Sequence, residues 1–314
     1  MYYFGIDLGG TNIAVGIVNE EGKIVASDST PTLAEREYPE IVADMAMVCK
    51  RAAKNAGIDM KEIKAIGIGS PGSIDSENGV VIYANNLKFN KAPIAQELRK
   101  HIDLPVNIEN DANAAAFGEY VENGGGVDDF VFITLGTGVG GGIIINKKLY
   151  KGFNGIGGEL GHITLVHNGK MCTCGNPGCW EAYASVTALI AQTKEAIEKN
   201  PDSLMKKLAE EAGEVNGKTS FEAAKAGDEA AKAVVRQYTE YVASGLVSII
   251  NIFQPQKIVI GGGISRQGEY LIAPIREYCN KYGYNKLLAR TEIRAATLFN
   301  DAGIIGAAMA AKKD

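Results

Sequence analysis

Two related α/β domains are expected of this chain, and three features of the sequence lead there. A strand–turn–strand unit at residues 2–18 has an echo at residues 129–146. Both units turn on Gly and Thr, as Leu8-Gly9-Gly10-Thr11-Asn12 and as Gly136-Thr137-Gly138-Val139-Gly140-Gly141-Gly142. Apolar strands and helical stretches alternate after each unit, the order of an α/β protein built from a repeat. The length, 314 residues, suits one large or two medium domains, each burying its own core.

The elements follow in order. Tyr2 to Asp7 and Ile13 to Val18 are apolar runs that read as strands. Lys23 to Ser29 adds a third after the turn Asn19-Glu20-Glu21-Gly22. Pro39 to Asn55 reads as a helix, with Pro at its start, Gly57 past its end, and Ile41, Met45, Val48, Cys49 and Ala52 as its apolar stripe. Ile63 to Gly69 and Val106 to Glu109 are buried strands, and Ala112 to Tyr120 is a helix of small residues. Glu122-Asn123-Gly124-Gly125-Gly126 reads as a hinge. The pattern then restarts with strands at Asp129 to Leu135 and Ile143 to Asn146. Residues 185–253 are mostly helical, with a solvated charged surface over 194–232. A strand at Lys257 to Ile260, the turn Gly261-Gly262-Gly263, a helix from Gln267 to Tyr282 and a strand at Glu292 to Ala296 complete the second half. The domains are expected at 1–120, joined by a C-terminal helix of about 298–314, and at 121–297.

Composition narrows the function. Hydrophobic residues make up 46% and charged residues 22%, as in an ordinary globular protein. The net charge of −5 argues against non-specific nucleic-acid binding. No apolar run approaches a membrane span, and Met1-Tyr2-Tyr3-Phe4 lacks the basic start of a signal peptide. Five cysteines, three of them clustered, point to metal binding in a reducing compartment. Cys49 and Cys279 fall on apolar helix faces and read as core.

The cluster is the most informative stretch. His162, Cys172, Cys174 and Cys179 lie within eighteen residues, bracketed by Glu159 and Glu181. One His and three thiolates complete a tetrahedral zinc set and leave no position for water, so the metal is structural. The competing reading is three cysteines that merely share a loop. They lie among Gly, Asn, Pro and Thr, and a disulfide would leave one thiol unpaired.

The Gly/Thr turns suggest phosphate. Neither contains Gly-Lys-Ser/Thr, so neither is a P-loop. Gly136, Gly138 and Gly141 match Gly-x-Gly-x-x-Gly, yet that fingerprint must open a helix, and here Ile143-Ile144-Ile145 follows as a strand. Each turn alone is equally a tight turn that uses Gly for positive φ. The pair suggests one phosphate clamp per domain, made of backbone N–H groups and the hydroxyls of Thr11 and Thr137. Asp111, where a strand ends and a helix begins, is either a helix N-cap or a carboxylate at a strand's carboxyl end, able to take a proton from a hydroxyl.

Six stretches together resemble the ROK family of repressors, open reading frames and sugar kinases. They are Asp7-Leu8-Gly9-Gly10-Thr11-Asn12, Ser70-Pro71-Gly72, Glu109-Asn110-Asp111-Ala112-Asn113-Ala114, Leu135 to Gly142, Gly157-Gly158-Glu159-Leu160-Gly161-His162, and the run Cys172 to Glu181. The resemblance implies an actin-like, ribonuclease H-like repeat fold whose two domains close on sugar and ATP across a cleft. It implies that Asp111 is the catalytic base and that Gly72, Asn86, Asn110, Glu159, His162 and Glu181 bind sugar. Asp7, Gly9, Gly10, Thr11, Asn12, Thr137 and Gly138 then bind ATP phosphates, with Asp7 near Mg²⁺, and Gly261, Gly262 and Gly263 form the adenosine-side turn. One nitrogen of His162 binds zinc and the other a sugar hydroxyl. A cytoplasmic homodimer or homotetramer is expected.

The implied activity is ATP-dependent phosphorylation of glucose. The stretch Asn85-Asn86-Leu87-Lys88-Phe89 departs from the Pro-Asn-Leu…Gly-Trp of glucokinase-like members, which leaves other hexoses and N-acetylhexosamines as alternatives. Polyphosphate as donor is left open too. A non-catalytic sugar sensor is the reading from another class. Sensors of this family carry a helix-turn-helix domain first, whereas this chain opens on its first strand and keeps Asp111 and both turns.

Overall fold

In the computed structural model, which describes residues 1–312, two five-stranded sheets carry the chain. The first contains β1 (Tyr2–Leu8), β2 (Asn12–Asn19), β3 (Ile24–Pro31) and β4 (Ile63–Ser70). A small sheet of β5 (Ser73–Asp75), β6 (Val80–Ala84) and β7 (Phe89–Ala92) intervenes before the fifth strand, β8 (Val106–Asn110). The order is β3-β2-β1-β4-β8, with β1 antiparallel to β2 and parallel to β4, and β4 parallel to β8. Central β4 is apolar and buried almost throughout, while edge β3 alternates half-buried and exposed residues, as a strand with one wet face does.

The helices cover this sheet. α1 (Tyr38–Ala56) buries Ile41, Met45, Val48, Cys49 and Ala52, the stripe expected, and ends on Gly57 in the left-handed conformation. α2 (Ile94–Arg99) follows the small sheet, and α3 (Asp111–Asn123) follows β8. The second sheet has the order β11-β10-β9-β12-β13, from β9 (Phe130–Leu135), β10 (Val139–Ile145), β11 (Lys148–Tyr150), β12 (Lys257–Gly261) and β13 (Glu292–Ala295). In each sheet the strands, ranked by sequence, run third, second, first, fourth, fifth. The repeat legible in two hairpins is therefore a repeat of whole sheets. Between β11 and β12 lie α4 (Glu181–Ala184), α5 (Val186–Lys199), α6 (Leu204–Ala212), α7 (Thr219–Lys225) and α8 (Glu229–Phe253). α9 (Glu269–Tyr282) precedes β13, and α10 (Asp301–Ala311) packs on β1, β4 and α3. Small residues permit that packing: a Cβ at Gly118 would lie 2.1 Å from the carbonyl oxygen of Ala302.

Three boundaries differ from expectation. β10 begins at Val139, so Gly140–Gly142 are strand and the turn is only Gly136-Thr137-Gly138. The glycines make room for a helix, since a Cβ on Gly142 would lie 2.4 Å from that of Ala116 in α3. α3 continues to Asn123, so the expected hinge starts as helix. Asn123 is buried and donates to Glu119 (2.5 Å) and Thr297 (2.8 Å). The chain forms two compact units. One holds Met1–Phe132, Gly142–Gly158 and the stretch from Thr297, and the other Ile133–Gly141 and Glu159–Ala296. The sequence-based division near 120 thus has a more interleaved counterpart, because α3 packs against the strand at Gly142.

Candidate active site

The first unit assembles the carboxylates. β8 ends at Asn110, whose side chain caps α3 by accepting the N–H groups of Ala112 (3.0 Å) and Asn113 (3.2 Å). Asn110, not Asp111, is therefore the N-cap. This frees the Asp111 side chain, which is solvent-accessible and takes local bonds, from the N–H of Ala112 (2.8 Å) and from the Asn110 side chain. Desolvation by the surrounding protein raises its pKa, and the bonds from Ala112 and Asn110 oppose that rise. Asn110 also donates to the Gly72 carbonyl at 3.2 Å, so most of its hydrogen-bonding capacity is committed. Gly72 has φ +99°, and a Cβ there would lie 2.1 Å from the Tyr83 carbonyl oxygen, so no other residue fits.

Asp7, at the end of β1, has its pKa raised to about 6 by burial and, secondarily, by the charge of Asp111. Two neighbouring carboxylates in a desolvated site suit a divalent cation, which prefers oxygen ligands. The adjacent turn is closed by Gly9 N–H to Asn12 (3.0 Å) and by the Thr32 hydroxyl to the Gly9 carbonyl (2.7 Å). Asn86 lies against this turn, since a Cβ on Gly10 would fall 3.4 Å from that of Asn86.

The second unit builds the other turn. Gly136 N–H donates to the Gly138 carbonyl at 3.0 Å, and the start of α5 holds the loop from behind. There Val186 N–H reaches the Gly136 carbonyl (2.8 Å) and the Thr187 hydroxyl the Thr137 carbonyl (2.8 Å). None of Gly9, Gly10, Gly136 and Gly138 has a positive φ, so the simple turn reading of these glycines does not hold. At Gly138 space decides instead: a Cβ there would meet Glu181 Oε2 at 2.3 Å. Beside the turn lies a cavity of about 540 Å³, of the size that holds small ligands. Gly263 and Ile264 line it, with Val186, Ile190, Asn216, Lys218 and Arg266, none of which belongs to a sequence signature. Gly262 has φ +85°, and a Cβ there would strike the Leu135 carbonyl oxygen at 2.0 Å.

The Cys/His cluster belongs to the same unit. Ligand atoms of His162, Cys172, Cys174 and Cys179 all lie within 4.8 Å of one another. Cys174 Sγ is 3.6 Å from Cys179 Sγ, and Cys172 Sγ is 3.8 Å from His162 Nδ1. Two thiolates at about 2.3 Å from a tetrahedral zinc are about 3.8 Å apart, so the set fits that ion. Without a cation, burial pushes the Cys179 thiol up to about 12, while the Asn176 N–H holds Cys174 below its usual value. With Nδ1 turned to the thiols, Nε2 of His162 points away from them.

Glu181 joins the cluster to the turn. Its Oε1 accepts the Thr173 hydroxyl (3.3 Å) and lies 3.4 Å from Cys172 Sγ, and its Oε2 accepts the Val139 N–H (3.0 Å). Trp180, fully buried and bonded through Nε1 to the Tyr241 carbonyl (2.9 Å), anchors this segment. Asp7, Gly9, Gly10, Thr11, Asn12, Gly72, Asn86, Asn110 and Asp111 thus gather in the first unit, and Thr137, Gly138, Glu159, His162, Glu181 and the 261–263 turn in the second.

Paired sheets of one strand order, each bearing a Gly/Thr turn, define the class: the two-domain actin-like fold of sugar kinases. The structure is similar to that of a ROK family glucokinase from Streptomyces griseus in complex with glucose and AMPPNP, with a TM-score of 0.82, 36% identity and 99% of both chains covered. The chain belongs to the ROK family, whose model matches residues 3–314. It is 40% identical to the glucokinase of Thermotoga maritima over 98% of this chain and 96% of that one. It is also 30% identical to the xylose repressor of Bacillus subtilis, of which it spans 75%.

Proposed function

We infer that this chain is an ATP-dependent glucokinase, transferring the γ-phosphoryl group of ATP to the 6-hydroxyl of glucose. The observation that carries this is Asp111: an accessible carboxylate at a strand's carboxyl end, freed from capping by Asn110 and raised in pKa. It suits a general base in a family whose glucokinases match over nearly the whole chain.

As the sugar oxygen attacks the γ-phosphorus, its proton passes to Asp111, the bond to the bridging oxygen breaks and ADP departs. Phosphoryl transfer needs chiefly positioning and charge neutralisation. Asp7 would hold Mg²⁺, which neutralises phosphate charge when bound. The two turns, through Gly9 to Asn12 and through Thr137 and Gly138, would hold the phosphates, and the cavity beside Gly261 to Gly263 suits the adenosine. Gly72, Asn86, Asn110, Glu159, His162 and Glu181 are assigned to the sugar. Zinc in the Cys/His set would supply rigidity, with Nε2 of His162 left for a sugar hydroxyl.

ATP consumption with Mg²⁺ across hexoses and N-acetylhexosamines tests the assignment. Glucose should give the highest kcat/KM. A better N-acetylhexosamine would move the specificity, and no turnover with any sugar would favour the sensor instead.

A further inference from the structure

We propose that Lys151 is a positioning residue for Asp111, acting through the buried carboxylate of Glu109. The proposal rests on the reading of Asp111 as the base. Glu109, next to last in β8, is only 3% exposed. Carboxylates are almost never buried so deeply without a partner. Its partner is Lys151, whose ammonium forms an ion pair with Oε2. Ser76 completes the group, with its hydroxyl 3.5 Å from the same oxygen and 3.4 Å from the Lys151 ammonium.

The other oxygen faces the site. Glu109 Oε1 accepts the backbone N–H of Asn110 (3.1 Å) and an amide N–H of Asn113 (3.3 Å). These residues flank Asp111, one before it and one two positions after. A single carboxylate thus holds the strand–helix junction from both sides of the base while its second oxygen is neutralised. The cation comes from the segment just after β11, which with residues 73–78 lines a concavity of about 670 Å³. Removing the cation leaves a buried unpaired carboxylate, which either takes up a proton or turns away. Either outcome weakens the grip on Asn110 and Asn113 and lets Asp111 shift, and a misplacement of about 1 Å can cost ~10²-fold in rate.

Steady-state kinetics on the full chain tests this, with melting temperatures measured alongside. Lys151→Met should lower kcat by ~10-fold or more while the KM for glucose stays within about 2-fold. Lys151→Arg should restore most of kcat, because it keeps the cation. Adding Glu109→Gln to Lys151→Met should recover part of the loss, since no buried charge is then stranded. A residue that only supports the fold would lower the melting temperature and leave kcat alone. One that binds sugar directly would raise KM with kcat kept. Either pattern overturns the proposal, as does a double variant no faster than Lys151→Met. Should Lys151→Met not fold, Glu109→Gln alone carries the test, with reduced kcat and unchanged KM expected and wild-type kcat overturning it. A wild-type rate in Asp111→Asn would instead bring down the base assignment, whatever Lys151 does.

Discussion

The two Gly/Thr turns have like composition and equivalent places in sheets of like order, yet different neighbours hold them. The first is tied to its own sheet by Thr32 and sits beside Asp7, whose pKa is raised by burial and by Asp111. The second is tied to the start of α5 by Thr187 and to the Cys/His loop by Glu181. One turn is thus wired to the carboxylates proposed for the chemistry and the other to the Cys/His loop and a cavity of about 540 Å³. The repeat supplies two turns of similar composition, and the surroundings of each decide what it responds to.

The strongest way to break this contrast is at the base. Asp111→Asn should lower kcat by ~10²–10⁴-fold with glucose affinity largely kept, because the amide preserves shape and loses proton acceptance. Wild-type turnover would remove Asp111 from the mechanism. The metal loop comes next. Cys174→Ser should reduce bound zinc, measured by metal analysis, and weaken glucose binding. Calorimetry should also find a smaller loss of affinity, about 3-fold, for a non-hydrolysable ATP analogue, because Glu181 bridges the loop to Val139. Nucleotide affinity unaffected by zinc loss would show that Glu181 transmits nothing.

The first turn should instead respond to pH. Asp7 carries a raised carboxyl, at about 6 in the fold against 3.8 as the ordinary value. The folded state therefore holds the extra proton between those values. The stability this contributes is fully present below about 3.8 and is lost as pH rises through about 6. Mg²⁺ needs the carboxylate, so Mg²⁺ affinity should fall as pH drops below about 6, and Asp7→Asn should abolish that dependence. A pH-independent affinity would place the metal elsewhere.

The smallest effects should separate the two supporting threonines. Thr32 is fully buried, so Thr32→Val, which removes its bond to Gly9, should cost about 1–3 kcal/mol in chemical denaturation. Thr187 is exposed, so Thr187→Val should change stability by less than about 1 kcal/mol and act instead on the KM for ATP. Gly138→Val cannot report on nucleotide alone, because Glu181 occupies the space its side chain needs.

Much of the fold was legible in the sequence where periodicity carried it. The stripe of α1, the buried run of β4 and the first hairpin read correctly, because local apolar spacing dictates which face is buried, while the second hairpin was placed with too long a turn. The small sheet β5-β6-β7 did not, since its strands are only three to five residues long and β6 and β7 break the alternation with two exposed residues in a row. In the site, the Cys/His set was readable because all four ligands come from one short loop. The cavity lining was not, because Ile190 comes from α5, Asn216 and Lys218 from the loop before α7, and Arg266 from the segment after β12, with no shared spacing.

By itself, then, the sequence determined where the candidate residues fall: Asp111 at a strand end, two Gly/Thr turns, and a Cys/His set whose ligand atoms the fold brings together. It did so because strand ends, turns and metal loops are local in the chain. Only the tertiary structure decided that Asn110 caps α3 and frees Asp111, that Glu181 fills the space over Gly138, and that Lys151 neutralises Glu109. Each is a contact between residues whose energetics depend on burial and on who stands opposite. A lysine that belongs to none of the sequence motifs becomes the counter-ion of a buried carboxylate only when the fold brings the two together.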